Sequence, residues 1–274
     1  MDTALHLTVL GSSTPYPRPD NPCSGYLLQH KDTTIWVDAG TGTLAELQRH
    51  TSIADLDAIW ISHAHADHTA DLLTAHYALR FSELVPTREI TTAGGLAPTG
   101  RIATTRRIPL IAPPALAERL IAFLGPRAKT VLPEVFDITE MQGWGETTIG
   151  GIDLSWGPVN HGMPAFALRA EAGGDSVAYS GDTAPCTALI ELATKADALV
   201  CEVGYDRSPT GHAVHCTPED AAAIANEAGA TRLVLTHVTG TLSPEEVERR
   251  AAGIFTGQIL SARPGLELLR DSAR

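Results

Sequence analysis

The chain has 274 residues, 43% hydrophobic and 19% charged, an ordinary composition for a globular protein able to bury a large core. Its formal net charge of −12, from 20 Lys and Arg against 32 Asp and Glu, argues against a long polynucleotide partner, because nucleic-acid binders present a basic face to phosphates. No apolar run reaches the roughly 18–20 residues of a membrane span.

The opening MDTALHLTVLG lacks the basic and then apolar order of a signal peptide. Cys23, Cys186, Cys201 and Cys216 are scattered, with no Cys-x-x-Cys pair, so reduced thiols and a cytoplasmic location are expected.

In chain order, Leu5–Gly11, Ser24–His30 and Thr33–Gly40 are short, rich in β-formers and bounded by turn residues, which predicts strands. Thr43–His50 reads as a helix, Leu56–His63 as a buried strand, and Asp67 to Glu83 as a helix with apolar residues at helical spacing. Pro86–Ile108 has abundant Gly, Thr and Pro and little periodicity, so a long loop or insertion is expected there. Pro109–Ala112 predicts a strand and Pro114–Leu124 a helix.

Strand signals return after Val131, in Thr147–His161, Ala165–Ala172 and Asp175–Asp182. Helix Cys186–Lys195, strand Asp197–Val203, helix Pro218–Glu227, strand Thr231–His237 and helix Pro244–Ala252 complete the alternation. No linker divides the chain, so residues 1–274 are expected to form one domain, with 86–108 inserted. Two strand clusters, each followed by helices, suggest two sheets between helical layers.

The stretch SHAHADH places His63, His65, Asp67 and His68 after an apolar strand. In an extended segment residues i and i+2 point to one side, so His63 and His65 can share a metal. Asp67 and His68 fall where the next helix begins and could hold a second ion nearby. Two metals about 3.5–4 Å apart suit phosphoryl or acyl hydrolysis. His161, Asp182 and His237 each follow a predicted strand, where loops converge on a site. Thr217 predicts a helix N-cap, with Asp220 in place of the usual capping-box Glu, and sets His215 just before the helix. His212 reads as a surface loop residue.

This order of motifs resembles the metallo-β-lactamase fold superfamily, and within it the ribonuclease Z-like and phosphodiesterase-like branch. LTVLGSSTPYP, WVDAGTG, SHAHADH, VNHGMPAFALR, YSGDT and LVLTHV are each similar to that branch's segments, spanning Leu5 to His237. The resemblance implies an α/β fold, a four-layer αββα sandwich. It implies that His63, His65 and His161 bind one metal, that Asp67, His68 and His237 bind a second, and that Asp182 bridges both. Asp38 and Glu202 match acidic positions that orient ligands. His215 matches a histidine that assists catalysis, although Cys216 stands where the branch carries Ser.

The expected cofactors are two divalent ions, zinc first, with manganese or iron as substitutes. The expected reaction is hydrolysis by a hydroxide held between the ions, with Asp67 and His215 as catalytic residues. Ribonuclease Z enzymes carry a tRNA-clamping arm between the ligands equivalent to His161 and Asp182. Here that interval holds only a strand pair and a turn, and His237 is followed by VTGT. A small anionic phosphodiester such as a cyclic nucleotide is therefore the leading substrate. Carboxylic ester, lactone, thioester or sulfate ester hydrolysis stays open as the alternative; tRNA processing and a non-catalytic metal-binding role rank below. A homodimer is expected from the resemblance alone.

Overall fold

A computed structural model describes residues 4–81, 88–92, 95–102 and 107–269, with side chains described for 4–81 and 107–269. Strands β1 (His6–Gly11), β2 (Gly25–His30) and β3 (Thr33–Val37) lead to helix α1 (Thr43–Leu47) and then strand β4 (Ala58–Trp60). Helices α2 (Ala66–Thr69) and α3 (Asp71–Phe81) follow. After the hairpin β5 (Arg88–Thr92) and β6 (Gly95–Ile102), the chain forms β7 (Ile108–Ala112), α4 (Leu116–Leu124), α5 (Ala128–Val135) and β8 (Phe136–Glu140).

The second half runs β9 (Gly145–Ile149), β10 (Ile152–Pro158), β11 (Phe166–Ala172), β12 (Asp175–Tyr179), α6 (Thr187–Leu192) and β13 (Ala198–Glu202). It closes with α7 (Pro218–Ala228), β14 (Arg232–Thr236), α8 (Pro244–Ala251), β15 (Gln258–Ser261) and β16 (Glu267–Leu268).

Period-two alternation makes the layers. Leu7, Val9, Tyr26, Leu28, Ile35, Val37 and Trp60 face Leu154, Phe166, Leu168, Val177, Tyr179, Val200 and Val234 between the two sheets. The alternate residues Leu10, Leu27, Trp36 and Ile59 pack beneath α1, α3, α4 and α5. Ala178, Leu199, Cys201, Leu233 and Leu235 pack beneath α6, α7 and α8. Strands buried on both faces read as unbroken apolar runs, as LVLT and ALVC do. The result is the expected four-layer αββα sandwich.

One sheet has the order β16-β1-β2-β3-β4-β7-β8, the other β15-β14-β13-β12-β11-β10-β9. In each, an antiparallel half meets a parallel half: β3, β4, β7 and β8 run parallel, as do β12, β13, β14 and β15. Two successive antiparallel pairings make β10 run in the same direction as β12. The carboxyl ends of β3, β4, β10, β12, β13 and β14 therefore lead into Asp38, the His63–His68 loop, His161, Asp182, Glu202 and His237. Loops at that edge are where open α/β sheets bind ligands.

Several expected elements differ. Thr147–His161 is not one strand; Gly150, at φ 57°, turns the chain between β9 and β10. The helix expected from Asp67 splits into α2 and α3, and its last residues, 82 and 83, lie outside the described residues. Helix α5 has no side-chain cap and carries Pro133, so no local start signal announced it. Within 86–108, the described backbone is an antiparallel hairpin rather than a loop, with Arg88 opposite Ile102 and Thr92 opposite Gly95. Residues 86, 87, 93, 94 and 103–106 of that expected insertion lie outside the described residues.

The turn after β3 seats the first ligand helix. Ala39 N–H donates to the His68 carbonyl (2.7 Å), and Asp71 N–H donates to the Ala39 carbonyl (2.9 Å). A Cβ on Gly40 would collide with the backbone carbonyl oxygens of Asp67 and Ser24, so only glycine permits this approach. Gly40→Ala is expected to cost about 3 kcal/mol of stability, because both obstacles are backbone. Urea unfolding against wild type measures it, and an unchanged midpoint would refute the packing argument.

Candidate metal centre

The His63–His68 loop leaves β4 in extended conformation and enters α2 at His65, whose φ −72° and ψ 153° place it at the N-cap. Extended geometry turns His63 and His65 to one side, and His63 Nε2 lies 3.0 Å from His65 Nδ1. His161 comes from the loop after β10, and its Nε2 stands 3.2 Å from the same His65 nitrogen. Its Nδ1–H donates to the Val214 carbonyl (2.9 Å), which leaves Nε2 as the free nitrogen.

One turn further on, α2 presents Asp67 and His68. His237, just after β14 and in left-handed conformation at φ 50°, brings its Nε2 to 3.2 Å from Asp67 Oδ2. Asp182 lies between the two sets. Its Oδ2 is 3.6 Å from His63 Nε2 and 3.3 Å from His237 Nε2, and its Oδ1 is 3.4 Å from His68 Nε2. The seven residues named from the sequence thus converge: His63, His65, His161 and Asp182 in one group, Asp67, His68 and His237 in the next.

This donor set fits metal ions. Imidazole and carboxylate donors sharing one tetrahedral ion stand roughly 3.3 Å apart, close to the spacings found here. His68 Nε2 and Asp182 Oδ1 are buried without a hydrogen-bond partner, although only 3.4 Å separates them. Such a pair is satisfied by a proton on His68 Nε2 or by a cation between the two atoms, and the surrounding imidazole and carboxylate donors suit the cation.

The charge states agree. Burial foremost, then His68, holds His63 well below the ordinary histidine range. Burial likewise lowers His65, His161 and His215. These rings are neutral near pH 7, the form that binds metal. For Asp182, burial opposes ionisation, but His237, His68 and His63 outweigh it and keep the carboxyl well below its usual range. Asp67 follows the same balance, through His237 and His68. His68 goes the other way: burial disfavours its charge, yet the Asp182 and Asp38 carboxylates lift it well above the ordinary value.

Asp38 and Glu202 both lie beside the cluster. Asp38 is fully buried and accepts from Ser62 N–H on Oδ1 and from His68 Nδ1–H on Oδ2, both at 2.7 Å. Glu202 accepts from the amides of Thr183 (2.9 Å) and Gly204 (2.6 Å) and holds His215 Nδ1 at 2.9 Å. Burial first, then Asp182, pushes its carboxyl well up. His215 precedes α7, whose Thr217–Asp220 capping box is complete. Its ring lies 5.6 Å from that of His237, almost parallel. His215 can also be grouped with Asp182 and His237 as a metal-binding set. His212 is exposed, as expected of a loop residue.

The sequence reading missed Thr14, whose hydroxyl donates to Asp67 Oδ2 (3.3 Å), and Tyr179, whose hydroxyl donates to Asp38 Oδ2 (2.7 Å). Both lie inside recognised segments, but neither has spacing that marks a role.

A four-layer sandwich with this His and Asp cluster at one edge defines a metallo-β-lactamase-fold metal-dependent hydrolase. Residues 33–238 match the family described as the beta-lactamase superfamily domain, and the chain belongs to that superfamily. It is 32% identical over 262 residues to an uncharacterized protein of Mycobacterium tuberculosis, covering 93% of this chain and 89% of that one. It is 29% identical over 284 residues to ribonuclease Z of Mycobacterium bovis, covering 93% and 94%. The crystal structure of the metallo-β-lactamase fold protein YhfI from Bacillus subtilis superposes with a TM-score of 0.80 at 24% identity, over 97% of this chain and 99% of that one.

The opposite charge states of His63 and His68 have a measurable consequence. An ion bound at His63, His65 and His161 would meet neutral rings, whereas one bound at His68 would have to displace a proton. Lowering the pH from about 8 to about 6 should therefore weaken binding of the ion that uses His68 and leave the other nearly unchanged. Calorimetric titration of chelator-stripped protein in buffers of different ionisation enthalpy counts the protons. Equal pH dependence of both binding events would contradict the assignment.

Proposed function

We propose that the protein is a phosphodiesterase for a small anionic phosphodiester such as a cyclic nucleotide, working with two divalent ions, zinc foremost. The observation that carries this reading is the pair of donor sets meeting at one buried carboxylate, Asp182. His63, His65 and His161 would hold one ion, Asp67, His68 and His237 the other, with Asp182 common to both. Ions bound there supply Lewis-acid activation of water and neutralise phosphoryl charge.

The protein's own groups account for the proton movements. Asp67 Oδ2, oriented by Thr14 and His237, is placed to align the attacking water and accept its proton. His215, tied through Nδ1 to Glu202, keeps Nε2 free to protonate the departing alkoxide. Burial lowers its proton affinity, so the ring rests neutral near pH 7 and gives up its second proton readily in the minor form that carries one, which predicts general-acid activity that falls as pH rises.

Two features favour a small substrate over tRNA. The interval from His161 to Asp182 is the hairpin of β11 and β12, closed by Gly173 and Gly174, without an arm. The net charge of −12 also opposes the approach of a large polyanion. The similarity to ribonuclease Z supports phosphodiester chemistry as the shared reaction class.

A chromogenic panel of bis-p-nitrophenyl phosphate, p-nitrophenyl acetate and p-nitrophenyl sulfate tests the bond. Turnover of the phosphodiester is expected to dominate; faster cleavage of the carboxylic or sulfate ester would replace the reading. Asp182→Ala should abolish hydrolysis and lower metal content by elemental analysis, and full activity in that variant would sink the assignment. His215→Ala should keep both metals yet slow a poor leaving group by roughly 10²–10⁴-fold. The loss should shrink for p-nitrophenolate, which departs without protonation. Metal loss in His215→Ala would make it a ligand instead.

A further inference from the structure

Two tyrosines lie buried between the sheets below the metal centre, and neither has a place in the chemistry above. Tyr26 on β2 and Tyr179 on β12 are 1% and 3% exposed, and their ring centroids are 4.7 Å apart. Each hydroxyl crosses to the opposite sheet. Tyr26 OH meets Thr236 Oγ1 at 2.6 Å, from the first sheet to β14 of the second. Tyr179 OH donates to Asp38 Oδ2 at 2.7 Å, from the second sheet to the end of β3 in the first.

Both crossings end one step from a donor of the same ion. Asp38 Oδ2 also accepts from His68 Nδ1–H at 2.7 Å. Thr236 is joined by the peptide bond to His237, whose left-handed backbone turns its ring back toward Asp67 and Asp182. His68 belongs to the first sheet's loop and His237 to the second's, so their separation depends on how the sheets sit against each other. Apolar contacts such as those of Leu28, Val37, Leu168 and Val200 resist compression but do not set register. Directional hydrogen bonds at 2.6 and 2.7 Å do.

We infer that Tyr26 and Tyr179 form a crossed inter-sheet clamp that positions His68 and His237 for the second metal ion. They are positioning residues: their hydroxyls bond to Thr236 and Asp38, not to a metal donor. His161 is held instead by the Val214 carbonyl, and His63 reaches Asp38 only through Ser62 Oγ, which keeps its own 2.7 Å bond to Asp38 Oδ2 when the Tyr179 hydroxyl is removed. The inference rests on the two-ion reading of the site.

The test is metal affinity, not turnover. Wild type, Tyr26→Phe, Tyr179→Phe and the double variant are stripped with chelator and titrated with zinc against a chromogenic competitor. Cobalt(II) absorption serves as a second signature. Phe keeps the ring and the packing, so the fold is retained. Each variant is expected to bind the second ion roughly tenfold or more weakly, in the range typical of groups that orient ligands, with the first ion's affinity within about twofold of wild type.

Thr236→Val should reproduce Tyr26→Phe, and Thr236→Ser, which restores the hydroxyl, should rescue it. A merely structural role would lower the unfolding temperature while weakening both ions alike or neither. Either pattern overturns the clamp and leaves the two-ion reading standing. Wild type that binds fewer than two ions overturns the reading itself, and the clamp with it.

Discussion

The rest of the structure depends on a carboxylate sealed among imidazoles: Asp182 is 1% exposed, and three histidine nitrogens, from His63, His68 and His237, surround it within 3.6 Å. A buried charge is costly unless paired, and here the pairing groups come from two separate stretches of chain and the carboxylate from a third. His63 and His68 follow β4, His237 follows β14, and Asp182 itself follows β12. The two sheets must therefore present their carboxyl-terminal edges to the same point. Failure of either sheet to form strands the carboxylate. Fold and site are in this sense one problem.

The sandwich meets that demand by giving each sheet a parallel half. Strands running in one direction send their loops to one edge: the single loop after β4 brings four donors from the first sheet, and the loops after β10, β12 and β14 bring one each from the second. The turns are correspondingly tight. Gly40 allows the Asp38 turn to lie against the Asp67 carbonyl, and Asp38 and His237 both adopt left-handed backbone that returns their side chains inward. Strain of this kind persists where surrounding contacts over-determine it. Asp38 has four such contacts, from Ser62 N–H, Ser62 Oγ, His68 Nδ1 and Tyr179 OH.

The centre divides its charge unevenly. His63, His65 and His161 are depressed above all by burial, whereas His68 is lifted against burial by the carboxylates on either side of it. One half is poised for a cation with no proton to remove, the other for exchange of a proton against a cation. Glu202 and His215 repeat the principle at the rim, where a buried acid fixes one nitrogen of a partly exposed ring.

Much of this was legible in the sequence, because it is local. His63 and His65 share a side through strand periodicity, Asp67 and His68 fall in the next helical turn, and the Thr217–Asp220 box marks the helix behind His215. His161, Asp182 and His237 were legible as polar residues ending apolar strands within a motif order that resembles a known superfamily. The tertiary structure alone decided what depends on contacts between distant residues. It returned β16 to β1, split Thr147–His161 at Gly150, and paired 88–102 as a hairpin. It also set Thr14 on Asp67, Tyr179 on Asp38 and Tyr26 on Thr236. Such pairs are fixed by the register of one packed sheet on another, and no spacing along a single strand encodes that register.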